Sequence, residues 1–136
     1  MTQGLTDNSG APVTVELDLD GPVSAYTVRL GDGPPVGRAE FVDFPDTDAD
    51  DDADAAPERI FFHTETDEEF AGRGLAGLLV REALRDSTER HLTVVPVCPV
   101  FIRHLRKHGD EFTASGGVFR RATREDVARV TRATRP

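Results

Sequence analysis

The sequence predicts a single α/β domain: a mixed, mostly antiparallel sheet, parallel only between two central strands, flanked by helices. Three observations carry this. Residues 13–20 alternate apolar and polar, the period-two mark of a half-buried strand, and three further extended runs follow before residue 67. A glycine-rich turn, Gly72-Arg73-Gly74, then leads straight into an apolar pattern of helical period. After that helix comes another short apolar run. A strand, crossover helix and strand in this order imply two parallel neighbours with a right-handed connection.

The elements follow in order. Val13, Val15, Leu17 and Leu19 alternate with Thr14, Glu16, Asp18 and Asp20, a first strand that Gly21-Pro22 ends. Residues 25–30 and 36–44 are two further extended runs, and Gly31-Asp32-Gly33-Pro34-Pro35 between them is turn chemistry, so they form a hairpin. Residues 59–66, with Ile60, Phe61 and Phe62, read as the central strand. Leu75, Leu78, Leu79 and Ala83 then mark the buried face of a helix from 75 to about 90, with Arg81, Glu82, Arg85, Asp86 and Glu89 turned to water. Residues 93–97 are a buried strand. Pro99 opens a second helix, from 100 to about 108, since proline suits a first turn. Beyond Gly109, Ser115-Gly116-Gly117 leads to a last amphipathic segment with Thr123 as N-cap and Val127 and Val130 on one side.

This gives a loose N-terminus over residues 1–12, a domain over 13–112 and a basic extension over 113–136. Arg120, Arg121, Arg124, Arg129, Arg132 and Arg135 make the extension basic; it reads as a solvated helix that offsets the acidic loop at 45–57. That loop carries Asp46, Asp48, Asp50, Asp51, Asp52 and Asp54 and is expected to be self-repelling and solvated. It lacks the central glycine and terminal glutamate of a calcium hand.

Composition narrows the function. At 136 residues and 38% hydrophobic content the chain is long enough for a core, but no apolar run approaches a bilayer span. The polar start has no secretory pattern, and one cysteine makes no internal disulfide, so cytoplasm is the expected compartment. A net charge of −9 argues against nucleic acid as partner and suits a cationic or amine-bearing one.

The glycine turn is the motif with chemistry in it. Gly72 and Gly74 let the backbone turn tightly and present amide N–H groups, and a helix N-terminus directly behind them is an anion site. The letters Gly72 to Gly77 satisfy G-x-G-x-x-G, yet residues 67–71 separate strand from glycine and the strand at 93–98 ends without an acid, both unlike a dinucleotide site. Leu75, not lysine, follows Gly74, so there is no Walker motif.

From Ala71 to Ala76 the sequence resembles the acetyl-CoA-binding signature of the GCN5-related N-acetyltransferases, written Arg or Gln, x, x, Gly, x, Gly or Ala. Ala71 stands where the family has Arg or Gln; Gly72, Gly74 and Ala76 fall in place. The wider strings F-x-H-T-E-x-D-E-E-F-A-G-R-G-L-A-G and V-V-P-V-C-P resemble the small YjdJ-type branch. The resemblance spans residues 24–112, most strongly 62–99.

It implies an acetyl-CoA co-substrate between the strands ending at Thr66 and Cys98, with pyrophosphate on backbone amides of Phe70, Ala71, Gly72, Arg73, Gly74, Leu75 and Ala76. Pantetheine would then lie beside Glu65 and Thr66, where a backbone N–H holds the thioester oxygen. Acyl transfer to an amine needs a proton acceptor and a donor to the leaving sulfur. Glu65 is the first choice of base, since relatives often use a carboxylate here. His63 is the second, with a free pKa near neutrality. All three of His63, Glu65 and Cys98 are expected to converge at the strand tips. Relatives often protonate the thiolate with a tyrosine; here the helix offers His104, and the sole tyrosine, Tyr26, lies elsewhere. Cys98 is an acid, an acyl acceptor, a thiol near CoA, or simply a small buried hydrophobe. His104 and His108 have metal-ligand spacing without a third ligand, so no metal is expected.

The function expected is acetyl-CoA-dependent N-acetyl transfer to an amine by direct attack in a ternary complex. The rivals are a CoA-binding module or sensor with little catalysis and a non-catalytic interaction domain.

Overall fold

A computed structural model describes residues 6, 10, 12–20, 23–31, 33–44, 57–67 and 74–134. The acidic stretch at 45–56, expected to be a loop, most of the N-terminus and residues 68–73 lie outside the described residues. The elements are β1 (Val13–Asp18), β2 (Ser24–Leu30), β3 (Pro35–Phe44), β4 (Glu58–Thr66), α1 (Leu75–Glu89), β5 (Thr93–Pro96), α2 (Pro99–Ala114), β6 (Val118–Phe119) and α3 (Arg124–Thr134). The six strands stand side by side in chain order. β1 to β4 are antiparallel, and β4 to β5 is parallel, as the strand–helix–strand pattern requires.

Phe61 and Phe41 point to one face of the sheet and meet Val28, Leu79 and Phe101 in the main core beneath α1 and α2. Ile60 and Val95 alternate to the other face, where Val130 of α3 covers them. A buried polar link ties the strands to α1. Arg59, 4% exposed, makes two parallel hydrogen bonds to Asp43 at 2.7 and 2.8 Å and a third to the Tyr26 hydroxyl at 2.7 Å. Tyr26 in turn donates to Asp86 of α1 at 2.5 Å.

Three features differ from the sequence reading. α2 runs past Gly109 to Ala114, with a non-helical residue at His108. Gly109 is buried there for close approach, because a Cβ would come within 3.0 Å of the Phe119 ring. The helix ends instead before Gly116, whose φ of +103 suits only glycine, while the Gly117 N–H returns to the Phe112 carbonyl at 2.9 Å. β6 adds a second parallel pairing, to β5, so parallel contact is not confined to β4 and β5. α3, read as a solvated helix, is docked on the sheet: Asp126, 1% exposed, binds Arg120, which also holds Glu58 at the start of β4. Thr123 caps α3 reciprocally with Asp126, its N–H donating to the carboxylate at 2.7 Å.

Candidate functional site

The site is set by where β4 and β5 part. Their register runs from Glu58 opposite Thr93 to Phe61 opposite Pro96. The Phe61 carbonyl then accepts from both Val97 N–H, at 2.9 Å, and Cys98 N–H, at 3.0 Å, before the chain turns into α2 at Pro99. Beyond that point β4 continues to Thr66 paired with β3 alone. The change of direction is helped by a bulge in β4: Phe41 faces Phe61 but Glu40 faces His63, leaving Phe62 as the extra residue.

Alternation decides which groups face the gap. The Asp67 N–H donates to the Val36 carbonyl of β3 at 2.7 Å, so Asp67 and, two residues back, Glu65 turn their backbone polar groups to β3. Thr64 and Thr66 therefore turn theirs the other way, toward the space that β5 has left. Of the pair Glu65 and Thr66 expected beside a pantetheine, the backbone donor into the cleft is Thr66. Thr64 joins it. Sequence reasoning missed Thr64, although its place midway between His63 and Glu65 was the available signal.

The side chains of His63 and Glu65 share the opposite exposure. They stand on one face of β4, 49% and 61% exposed, with His63 Nε2 hydrogen-bonded to Glu65 Oε1 at 2.8 Å. Their β3 partners are Glu40 and Arg38, whose ion pair measures 3.0 Å. Cys98 does not join them. It is 4% exposed, and its S–H donates to the Thr64 hydroxyl at 3.4 Å on the other face of the strand. Thr64 and the His63–Glu65 pair alternate across β4, so strand geometry separates the thiol from the proposed base.

At the far end of the cleft, Gly74 adopts φ +78 and precedes α1 as its N-cap, a left-handed conformation natural to glycine. Leu75 and Ala76 open the helix, and their N–H groups have no intrahelical acceptor by position; the first such bond is Leu78 N–H to the Gly74 carbonyl at 3.0 Å. The remaining expected phosphate contacts, Phe70, Ala71, Gly72 and Arg73, lie outside the described residues. Among the described residues, strand donors at Thr64 and Thr66 that turn away from β3 and helix donors at Leu75 and Ala76 without an intrahelical acceptor are groups that fit the pantetheine and phosphate of an acyl-CoA. An open cavity of about 670 Å³ lies on the β3 side of this strand end instead, lined by Asp18, Thr27, Val36, Arg38, Glu65 and Asp67 among others, and it includes neither Thr64 nor Cys98. Gly37 keeps β3 close there, since a Cβ would lie 2.8 Å from Thr66 Cγ2 and 3.1 Å from the Glu65 carbonyl.

The other titratable candidates sit away from the gap. Tyr26 is held beneath the sheet by Asp86 and Arg59. Burial pushes its hydroxyl pKa up, against the lowering effect of Arg59 and with the help of Asp86. His104 and His108 lie with ring centres 4.9 Å apart and planes tilted by 43° on α2, and His108 Nδ1 meets Glu111 at 2.8 Å. Burial and then the His108 charge depress the His104 pKa. Among the described residues no group of three or more His, Cys, Asp or Glu is arranged to hold a metal ion. No helix among them is long and apolar enough to cross a membrane.

The sequence profile described as GCN5-related N-acetyl-transferase matches residues 25–114, well over half the chain, from β2 through the end of α2. The chain belongs to this acetyltransferase family. No curated protein sequence matches it. Solved structures with which this family member shares a likeness include a ribosomal-protein-alanine N-acetyltransferase from Brucella melitensis biovar Abortus 2308. That match has 22% identity and a TM-score of 0.47 over 68% of this chain and 64% of that one. Another is an aminoglycoside acetyltransferase from an uncultured soil metagenomic sample, at 12% identity and a TM-score of 0.44, over 87% of this chain and 60% of that one. The chain thus spans 64% and 60% of the lengths of these two proteins.

Proposed function

We propose that this chain transfers an acetyl group from acetyl-CoA to an amine by direct attack in a ternary complex. The single observation that carries the reading is the parting of β4 from β5, which frees Thr64 and Thr66 backbone groups beside the exposed His63–Glu65 pair. When bound, acetyl-CoA supplies an activated thioester. The chain's own residues do the rest.

Gly72, Gly74, Leu75 and Ala76, with Phe70, Ala71 and Arg73, cradle the pyrophosphate through backbone N–H groups at the start of α1, where the helix dipole favours negative charge. Thr66 and Thr64 hold the pantetheine and the thioester oxygen as an added strand would be held. Glu65 takes the proton from the acceptor ammonium, and His63, hydrogen-bonded to it at 2.8 Å, orients its carboxylate or relays the proton. The nitrogen–carbon bond forms as the carbon–sulfur bond breaks, and the departing sulfur regains a proton. Cys98, whose S–H already points at a hydroxyl on the gap side of β4, is the candidate donor.

Calorimetric titration with CoA and acetyl-CoA, on the parent and on Gly74→Glu, tests the site. Binding by the parent that disappears in the variant supports it, because the substitution adds a side chain and a negative charge to the cradle. No binding by the parent removes the enzyme reading.

One observation favours a second reading, a CoA-binding module with little catalysis. Only five residues, 19–23, join β1 to β2, too few for helices that would roof an acceptor pocket. Tight CoA binding with no turnover across a broad panel of amines would select it.

A further inference from the structure

One half of the sheet has an open face. α1 and α2 pack on the side of Phe41 and Phe61, and α3 covers the Ile60 and Val95 end of the other side. On that second side, two rungs of residues run straight across four strands. Glu16, Thr27, Arg38 and Glu65 form one, and Asp18, Ala25, Glu40 and His63 form the next. The cavity of about 670 Å³ lies against these rungs, with Asp18 at its β1 end and Glu65 and Asp67 at its β4 end. Its size suits a small molecule.

The lining is short of positive charge. Arg29 holds Glu16 at 2.8 Å and Arg38 meets Glu40 at 3.0 Å, whereas among the described residues no lysine or arginine pairs with Asp18, Glu65 or Asp67. Thr27 adds an independent sign of a ligand. It is 6% exposed and lines the cavity, yet among the described residues its hydroxyl has no hydrogen-bond partner. A buried hydroxyl left so is destabilising, and a donor from a bound molecule would satisfy it. β2 and β3 are paired on both sides, so a peptide backbone finds no ladder to join here. Pro35 and Val36 offer apolar surface to a methylene chain instead.

We propose that this cavity binds the acceptor and that the acceptor is a linear aliphatic diamine, with one nitrogen beside Glu65, where it is acetylated, and a second, still charged, between Asp18 and the Thr27 hydroxyl. The inference rests on the acetyl-transfer reading above and names its substrate class. Thr27 and Glu65 stand two strand spacings apart, about 10 Å, on the scale of an extended six-carbon diamine. Arg38 lies on the rung between them, so an uncharged chain suits the middle.

Calorimetry with CoA first establishes cofactor binding. Thiol release from acetyl-CoA then gives kcat/KM for a six-carbon diamine and the six-carbon monoamine on the parent, on Asp18→Asn and on Thr27→Val. The parent is expected to prefer the diamine about fivefold at low ionic strength, the scale of one exposed ion pair, and to lose that preference in half-molar salt. Asp18→Asn should bring the ratio to about twofold, the statistical advantage of two equivalent nitrogens. Thr27→Val should lower the ratio as well while stabilising the fold, because it removes an unpaired buried hydroxyl. Both variants should bind CoA as the parent does. The substitutions sit on different strands, so failure of one to fold leaves the other to decide. A parental ratio of about twofold or less, a ratio that neither variant changes, or no turnover of either amine by a parent that binds CoA would overturn the diamine and leave the cofactor site standing. A parent that binds no CoA removes the acetyl-transfer reading and this inference with it.

Discussion

His63 Nε2 lies 2.8 Å from Glu65 Oε1 on the exposed face of β4, while between them in sequence Thr64 turns its side chain to the opposite face, against Cys98. One three-residue stretch thus supplies a candidate proton acceptor on one side of the strand and a contact to the buried N-cap of α2 on the other.

That division predicts unequal effects at the pair. With an accepted amine, Glu65→Gln is expected to lower kcat by roughly 10² to 10⁴, the usual worth of a general base, and to abolish the rise of rate with pH. His63→Gln should cost less, about tenfold, and keep that rise, since it removes an orienting partner. The reverse pattern in the two pH profiles would move the base to His63.

Gly37→Ala should damage the cleft from behind. Its Cβ would sit 2.8 Å from Thr66 Cγ2 and 3.0 Å from Val28 Cγ1, so β4 must shift at the residue that faces the gap. Overpacking of this kind costs about 1–3 kcal/mol, read by urea denaturation. CoA affinity should drop as well; a variant with parental affinity would show that Thr66 is not a contact.

Tyr26 offers a spectroscopic probe, being the only tyrosine in a chain without tryptophan. Its pKa is raised above the ordinary 10.0, first by burial and then by Asp86 against the opposing Arg59. The sign is therefore that of a group stabilising the fold below about pH 10 and losing that contribution as pH rises toward its folded pKa. Phenolate absorbance should be absent from the folded protein near pH 10 and emerge on unfolding. Tyr26→Phe should cost about 1–3 kcal/mol, because Arg59 and Asp86 each lose a buried partner.

Asp126 predicts the acid limb. Hydrogen bonds from Arg120 first, and from Thr123, outweigh burial and lower its carboxyl from 3.8 to about 2. A depressed carboxylate contributes above the unfolded value, so this stability is complete above about pH 5 and lost as pH falls toward 2. Asp126→Asn should remove roughly 2 kcal/mol at pH 7 and flatten the decline below pH 4, measured by denaturation at several pH values. An unchanged acid limb would mean that the Arg120 clamp is energetically idle.

How much of this was legible beforehand depended on range. Leu75, Leu78, Leu79 and Ala83 announced α1 because a helix writes its buried face locally, at intervals of three and four residues. The alternation in β1 did the same at period two, and Pro99 marked the start of α2. Gly109 misled, because its reason for being glycine is the Phe119 ring, a partner ten residues away that no local pattern reveals. β6, only two residues long, carries too little alternation to be seen. α3 read as solvated because the arginines in and before it are conspicuous, whereas the Glu58 that Arg120 and Arg129 share is brought to them only when β4 and α3 meet.

By itself, then, the sequence determined β1 to β5, the starts of the helices, their order and the parallel crossover, since local periodicity and turn chemistry specify all of these. Only the tertiary structure decided which side of β4 each residue serves. The bulge at Phe62 and the bond from Asp67 to Val36 set the phase of the strand, and a shift of one residue would exchange its two faces. That phase is a property of the pairing between β3 and β4, not of either strand alone, and it is what places Thr64 with Cys98 and His63 with Glu65.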